Sequence, residues 1–427
     1  MELLMQYIWQ HRLFPRSGLT TVDGERVEVI DRGCLNTASG PDFFNAKVKI
    51  GERMWAGDVE IHVKASDWHR HGHDGDSAYD SVILHVVDSS DARITRSNGE
   101  TLPQMELPRC ETLGESYRAL SSLAPGPELP CSEVIGRTER LYLTDWLTAL
   151  ALERLHAKAD RILNLNARLG GDWTQTVLAV TARGLGFGTN SDPMERLGAG
   201  VPLMTLLKHS DNHLAVEALL FGQSGLLDRA PADDSYANAL RAEHAFLCRK
   251  FSLSPLQGMV WKMSGMRPAG FPHRRIALLA AMIGRRFTIA SQIAEADSAE
   301  AVGRLFDLPL SDYWQSRYTF GPPSAASVPK TLSAASVTSL TINVAAPLML
   351  ARSRACGACD ATERAVALLE TLPAERNTIT RLFAKAGLRA SDALESQALI
   401  ELRRSYCEAR KCLYCRVGHR LLAARLP

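Results

Sequence analysis

The spacing of hydrophobic positions changes along this chain. A short opening with apolar residues at helical intervals (Leu3, Leu4, Tyr7, Ile8, Leu13) precedes four segments of β-type enrichment or alternation, at 26–30, 44–50, 55–64 and 82–87. Turn signals separate them, including Asp31-Arg32-Gly33, Ser39-Gly40-Pro41-Asp42 and Gly51. Between the third and fourth segments, 66–79 is polar and rich in histidine. The predicted order is helix, three strands, a short helix or loop, then a strand. A stretch with proline and glycine, 123–130, predicts a linker. Beyond it Leu141, Leu143, Trp146, Leu147, Leu150, Leu155 and Ile162 form one broad apolar face, and helical spacing returns near 205–227, 276–283 and 361–372. The pattern predicts an α+β protein: an N-terminal α/β domain at 1–108 with a small mixed sheet, a linker at 109–137, a mainly helical domain at 138–355 and a basic, cysteine-rich helical end at 356–427.

Composition narrows the function. With 427 residues, 46% of them hydrophobic, the chain can bury at least one large core. Lys plus Arg (49) against Asp plus Glu (47) leaves a formal charge of +2, too little for the whole surface to attract a polyanion, so a nucleic-acid site has to be local. No basic region precedes the first apolar residues and no uninterrupted apolar run approaches the ~18 residues of a membrane span. A soluble, cytoplasmic protein without a membrane partner is expected. The nine cysteines are an odd number, and five fall between Cys356 and Cys415, which favours metal ligands or redox groups over a disulfide framework.

The third strand carries the densest chemistry. Alternation places Asp58, Glu60, His62 and Lys64 on one face and Val59, Ile61 and Val63 on the other. Asp42 precedes the neighbouring strand in a Gly-Pro turn. An antiparallel hairpin would bring Asp42 to Glu60, giving two carboxylates for a divalent cation and a basic group for a proton or a developing charge. Downstream, His69, His71 and His73 alternate along a loop, and His85 lies in the following strand; such histidines serve as zinc ligands, as proton carriers or simply as loop and core residues.

Pro41-Asp42 followed by Glu60 with a basic residue on the same face, in this order of elements, resembles the PD-(D/E)XK nuclease superfamily over about 90 residues. The resemblance implies a restriction-endonuclease-like fold, Mg²⁺ or Mn²⁺ on Asp42 and Glu60, and a lysine two residues after the second acid. Here His62 fills that slot and Lys64 lies one pleat further on. Nearly the whole chain also resembles an uncharacterised bacterial family of domain-of-unknown-function proteins, through Asn36–Ala46, Gly57–Trp68, Val82–Val87, Arg267-Pro-Ala-Gly-Phe-Pro272 and Tyr406–Cys415.

Near the end, Cys407, Cys412, Cys415 and His419 are spaced C-x4-C-x2-C-x3-H, a donor set for zinc or, through the thiols, an iron-sulfur cluster. An unbroken helix would put Cys412 and His419 roughly 10 Å apart along its axis. The segment must therefore turn near Cys415 or recruit Cys356 and Cys359. From Arg376 onward, eleven Lys/Arg face four Asp/Glu. Arg403, Arg404, Arg410, Lys411, Arg416 and Arg420 thus form a candidate phosphate-backbone contact, or a solvated helix face.

Other motifs carry less. Gly184-Leu-Gly186-Phe-Gly188 lacks the strand a nucleotide loop needs and predicts a helix-ending turn; Trp261, Trp314 and Phe320 predict core positions rather than base-stacking platforms. The leading expectation is a metal-dependent phosphodiester hydrolase acting on DNA or RNA, with Asp42, Glu60, His62 and Lys64 at its site. The alternatives are a non-catalytic nucleic-acid-binding or assembly protein with a structural zinc or iron-sulfur site, and a zinc hydrolase built on the His69–His85 cluster.

Overall fold

The computed structural model describes residues 1–36, 39–96, 99–108, 114–115, 117, 129–296, 298–357 and 361–423. The chain forms two compact units, residues 1–138 with 404–427, and residues 139–403. It is an α+β protein: a mixed sheet with helices, then a mainly helical region.

The first unit opens with helix α1 (Glu2–Gln10), whose Leu4, Met5, Tyr7, Ile8 and Trp9 are buried. The seven-stranded sheet comprises β1 (Leu19–Thr20), β2 (Arg26–Asp31), β3 (Cys34–Leu35), β4 (Phe43–Ile50), β5 (Arg53–Lys64), β6 (Val82–Ser89) and β7 (Gln104–Glu106), in the order β1-β2-β4-β5-β6-β7 with β3 on β4. Pairing is antiparallel from β1 to β5 and parallel from β5 to β7. A parallel neighbour requires a crossover. Residues 65–81 supply it, through helix α2 (Asp67–Arg70) and the 3-10 turns His73–Gly75 and Ser77–Tyr79. The four strands expected from sequence are present; β1, β3 and β7, two or three residues long, are too short to show a period of two.

One apolar face of the sheet, with Val27, Phe43, Val48, Val59, Ile61 and Val86, packs on α1, and Leu413 and Leu422 from the C-terminal segment join the same core. The basic end of the chain thus belongs to the sheet unit from residue 404 onward. In β5 the polar face is also covered: Asp58, Glu60 and His62 are 9%, 5% and 1% exposed. Gly57, immediately before them, sits where β6 approaches most closely. A Cβ there would lie 2.4 Å from Ile83 Cγ2 and 2.5 Å from Ser81 O, so only glycine fits.

In the helical unit the long helix Arg140–Arg168 is joined to Ala393–Glu401 by Arg154, which donates to Gln397 (2.8 Å) and pairs with Glu401 (3.2 Å). Helix Trp173–Leu185 ends at Gly186, with Gly188 at φ +82, the turn expected there. Trp261, Trp314 and Phe320 are buried, as expected of core residues. One described stretch, Ala334–Cys356, is long and apolar enough to cross a membrane, at 23 residues and a mean hydropathy of 1.5 in its most apolar window. That window is 61% buried in the protein; Ser, Thr and Asn interrupt the run, which is why it does not stand out in the sequence.

His273, in helix Pro272–Gly284, is 6% exposed among Phe221, Trp314 and Phe320. Burial lowers it to about 4. Because the unfolded chain then binds a proton the folded one refuses, stability is complete above pH 6.5 and falls as the pH drops toward 4. His273 should account for a loss of about 2 kcal/mol between pH 7 and pH 5. Urea unfolding of His273→Phe at both pH values checks this: the acid limb should flatten by that amount.

Candidate functional site

The β4–β5 pairing sets the site. Phe43 pairs with Val59, and beyond it Asp42 faces Glu60, so their side chains leave the same side of the sheet. The register then shifts between Phe43 and Ala46 through a bulge in which Asn45 adopts φ +56, a conformation asparagine tolerates well. Asp58 holds that bulge: Oδ1 accepts from Asn45 N–H at 3.0 Å and Oδ2 from the Ser81 hydroxyl at 2.6 Å. Its oxygens are engaged in shaping the strands.

Asp42 and Glu60 interlock. The Asp42 backbone N–H donates to Glu60 Oε2 (3.1 Å), and Asp42 Oδ2 accepts from the Ile61 N–H (3.0 Å). Gln6 of α1 donates to Asp42 Oδ1 at 2.8 Å. Burial raises both carboxyls above their ordinary range; Asp42 raises Glu60 further, and Glu2 of α1 adds to both. Three acids and Gln6 therefore share one electrostatic neighbourhood. Glu2 and Gln6 were not singled out in the sequence; the signal available was the row of polar residues Glu2, Gln6 and Gln10, four apart on one face of a largely apolar helix.

The other oxygen of Glu60 faces the histidines. Oε1 lies 3.4 Å from His62 Nε2 and 3.3 Å from His73 Nε2, while His62 Nε2 is 3.1 Å from His71 Nδ1. Among the described residues, His62, His71 and His73 are the group of three whose ligand atoms all lie within 4.8 Å of one another. Tetrahedral ligands about 2.1 Å from a zinc ion are about 3.4 Å apart, so this spacing fits one ion with little adjustment. The donor chemistry also fits, since burial first and mutual repulsion second hold His62 near 3, leaving its ring a neutral base. His62 Nδ1 meets His85 Nε2 at 2.9 Å, which orients the ring with Nε2 toward the centre. His85 is fully buried against Trp68, a core histidine that contacts the site. Tyr79 stacks on His73 at 3.7 Å between ring centroids, and its hydroxyl is raised to about 12 by burial and by Glu60.

Two sequence candidates lie apart from this centre. Lys64 is exposed at the end of β5, where its charge acts on Asp91, and its N–H donates to Asp67. His69 is bonded to Asp74 on the surface. The expected result for metal binding follows: His85→Phe should weaken zinc affinity about 10- to 100-fold, and His69→Ala should leave it unchanged. Competition with a chromogenic chelator measures both.

The cysteine end is assembled differently. Cys412 lies in a 3-10 turn, Cys412–Tyr414, Cys415 is buried, and helix Arg416–Ala423 follows, so the chain does turn at Cys415. Cys131 joins this neighbourhood. Its thiol is pushed up to about 12, by burial first and then by Cys415 and Cys412. His419 turns toward α1, where Nδ1 meets the Tyr7 hydroxyl and its ring lies against His11. Cys407 ends the π-helical segment Leu402–Cys407, which also carries Arg403 and Arg404. Cys356 ends a helix of the other unit, and Cys359 lies outside the described residues. Of the basic candidates, Arg404, Arg410 and Lys411 are exposed, and Arg403, Arg416 and Arg420 are half-buried.

Fold and site together define a protein with an α+β unit that gathers carboxylates and imidazoles on the covered face of a mixed sheet. Residues 2–378 match the family described as "Protein of unknown function (DUF2851)", and the chain belongs to that family. No curated protein and no solved structure matches the chain.

Proposed function

We propose that the chain is a metal-dependent hydrolase of phosphodiester bonds, centred on Glu60. The observation that carries this reading is the position of that carboxylate: one oxygen turned to Asp42 from the paired strand, the other to the imidazoles of His62 and His73. Asp42, Glu60, His62, His71 and His73 would hold the cation. The mix of carboxylate and imidazole suits Mn²⁺ or Zn²⁺ better than Mg²⁺, which prefers an all-oxygen shell. A bound divalent ion supplies Lewis acidity and a water that ionises near neutral pH. The protein's own residues do the positioning: Gln6 and the Ile61 N–H fix Asp42, and His85 fixes His62.

The phosphodiester part of the reading is supported by the order of elements: α1, antiparallel strands, α2, then the parallel β6, with Glu60 on β5 and Asp42 immediately before the adjoining β4. A second reading, a zinc hydrolase of another bond, is favoured by the three clustered imidazoles. The two separate in one assay. Full-length protein is incubated with single- and double-stranded DNA and RNA in Mn²⁺, Zn²⁺, Mg²⁺ or chelator. Cleavage that needs metal and disappears in Asp42→Asn supports the proposal. Stoichiometric metal with every nucleic acid left intact rejects it.

A further inference from the structure

The helical unit contains a cavity of about 420 Å³ beside the start of helix Pro272–Gly284. Four cationic side chains line it, Arg267, Arg274, Arg275 and Lys330, together with the hydroxyls of Ser333 and Ser336 and a wall of leucines. Among the described residues no acidic side chain lines it. Among the described residues none of the four cations enters an ion pair.

The two inner guanidiniums are held in place without being neutralised. Arg274 is 6% exposed and donates only to backbone carbonyls, those of Trp314, Arg317 and Pro329. Arg275 lies over the Phe187 ring at 4.5 Å, and its buried Nε has no hydrogen-bond partner. Burial and the neighbouring Arg274 lower Arg275 to about 10, the mark of like charges kept together in a poorly solvated place. Arg267 and Lys330 are exposed at the rim. A concave, low-dielectric site lined by one sign of charge concentrates the opposite charge.

We propose that this cavity binds a small organic phosphate, its phosphate on Arg275 and Lys330 and its body against the leucines. Guanidinium, ammonium and hydroxyl donors together match a tetrahedral anion with several oxygens. The volume falls in the range of small-molecule sites and exceeds what an inorganic ion fills.

Calorimetric titration of the full chain with AMP, inorganic phosphate and adenosine provides the test. AMP should bind and weaken as salt is raised, adenosine should not bind, and phosphate should bind more weakly than AMP. Arg275→Gln should lower AMP affinity about 10- to 100-fold. Lys330→Glu, an exposed change that leaves the fold intact, should do the same. Glu60→Gln should leave AMP binding unaltered, which separates this cavity from the proposed hydrolase site. Absence of AMP binding at millimolar concentration, or unchanged affinity in both cavity variants, overturns the proposal. Phosphate binding as tightly as AMP overturns the organic body.

Discussion

Glu60→Gln should abolish metal-dependent hydrolysis while leaving the sheet folded. The side chain keeps its length and shape, and its amide oxygen can still accept from the Asp42 N–H, so the β4–β5 contact survives. What disappears is the carboxyl that can ionise onto a cation between Asp42 and the imidazoles of His62 and His73. The expected loss is at least about 10³-fold in turnover, the scale attached to removing a directly acting group. A neutral amide at 60 also removes the repulsion from Asp42 that, after burial, raises Glu60, so the variant should be no less stable than the parent. Single-turnover cleavage and thermal unfolding of the same preparation check the two statements together. Full activity in Glu60→Gln would remove the site from consideration; loss of both activity and fold would show that the acid is structural.

The largest stability effect should come from the helical unit, at Trp314. Its ring is fully buried and stacks on Phe221 at 5.0 Å, and its Nε1–H donates to Glu217 Oε2 at 2.7 Å. Glu217 is itself buried, raised by desolvation and held by Ser311, Tyr236 and Trp314. Trp314→Ala therefore leaves a cavity and removes one donor from a buried carboxylate. About 4 kcal/mol should be lost, which lowers the unit's unfolding temperature by roughly 8–16 °C. Trp314→Phe keeps the stacking surface and should cost clearly less. Calorimetry of the two variants measures both effects, and a shift below about 2 °C for the alanine variant contradicts the packing argument.

Much of the candidate site could be read from the residues because strands have a period of two. Asp58, Glu60 and His62 had to share a face, and an antiparallel hairpin with the preceding strand would bring Asp42 near Glu60. The same local rule misjudged how that face is used. It did not show that Asp58 is taken up by the Asn45 bulge, nor that Lys64 ends beside Asp91, because both depend on contacts with other segments. Alternation along 69–73 likewise suggested three equivalent histidines. Only the path of the crossover brings His71 and His73 to His62 and leaves His69 on Asp74.

By itself, then, the amino-acid sequence determined the α+β class and the strand that bears the acids, since each follows from periodicity and backbone preference within a few residues. Tertiary structure alone decided that residues 404–427 return to the sheet unit, that Cys131 meets Cys412 and Cys415, and that Glu2 and Gln6 stand beside Asp42. Those meetings join residues far apart in the chain. They are set by which apolar faces bury against each other, and local patterning carries no record of that choice.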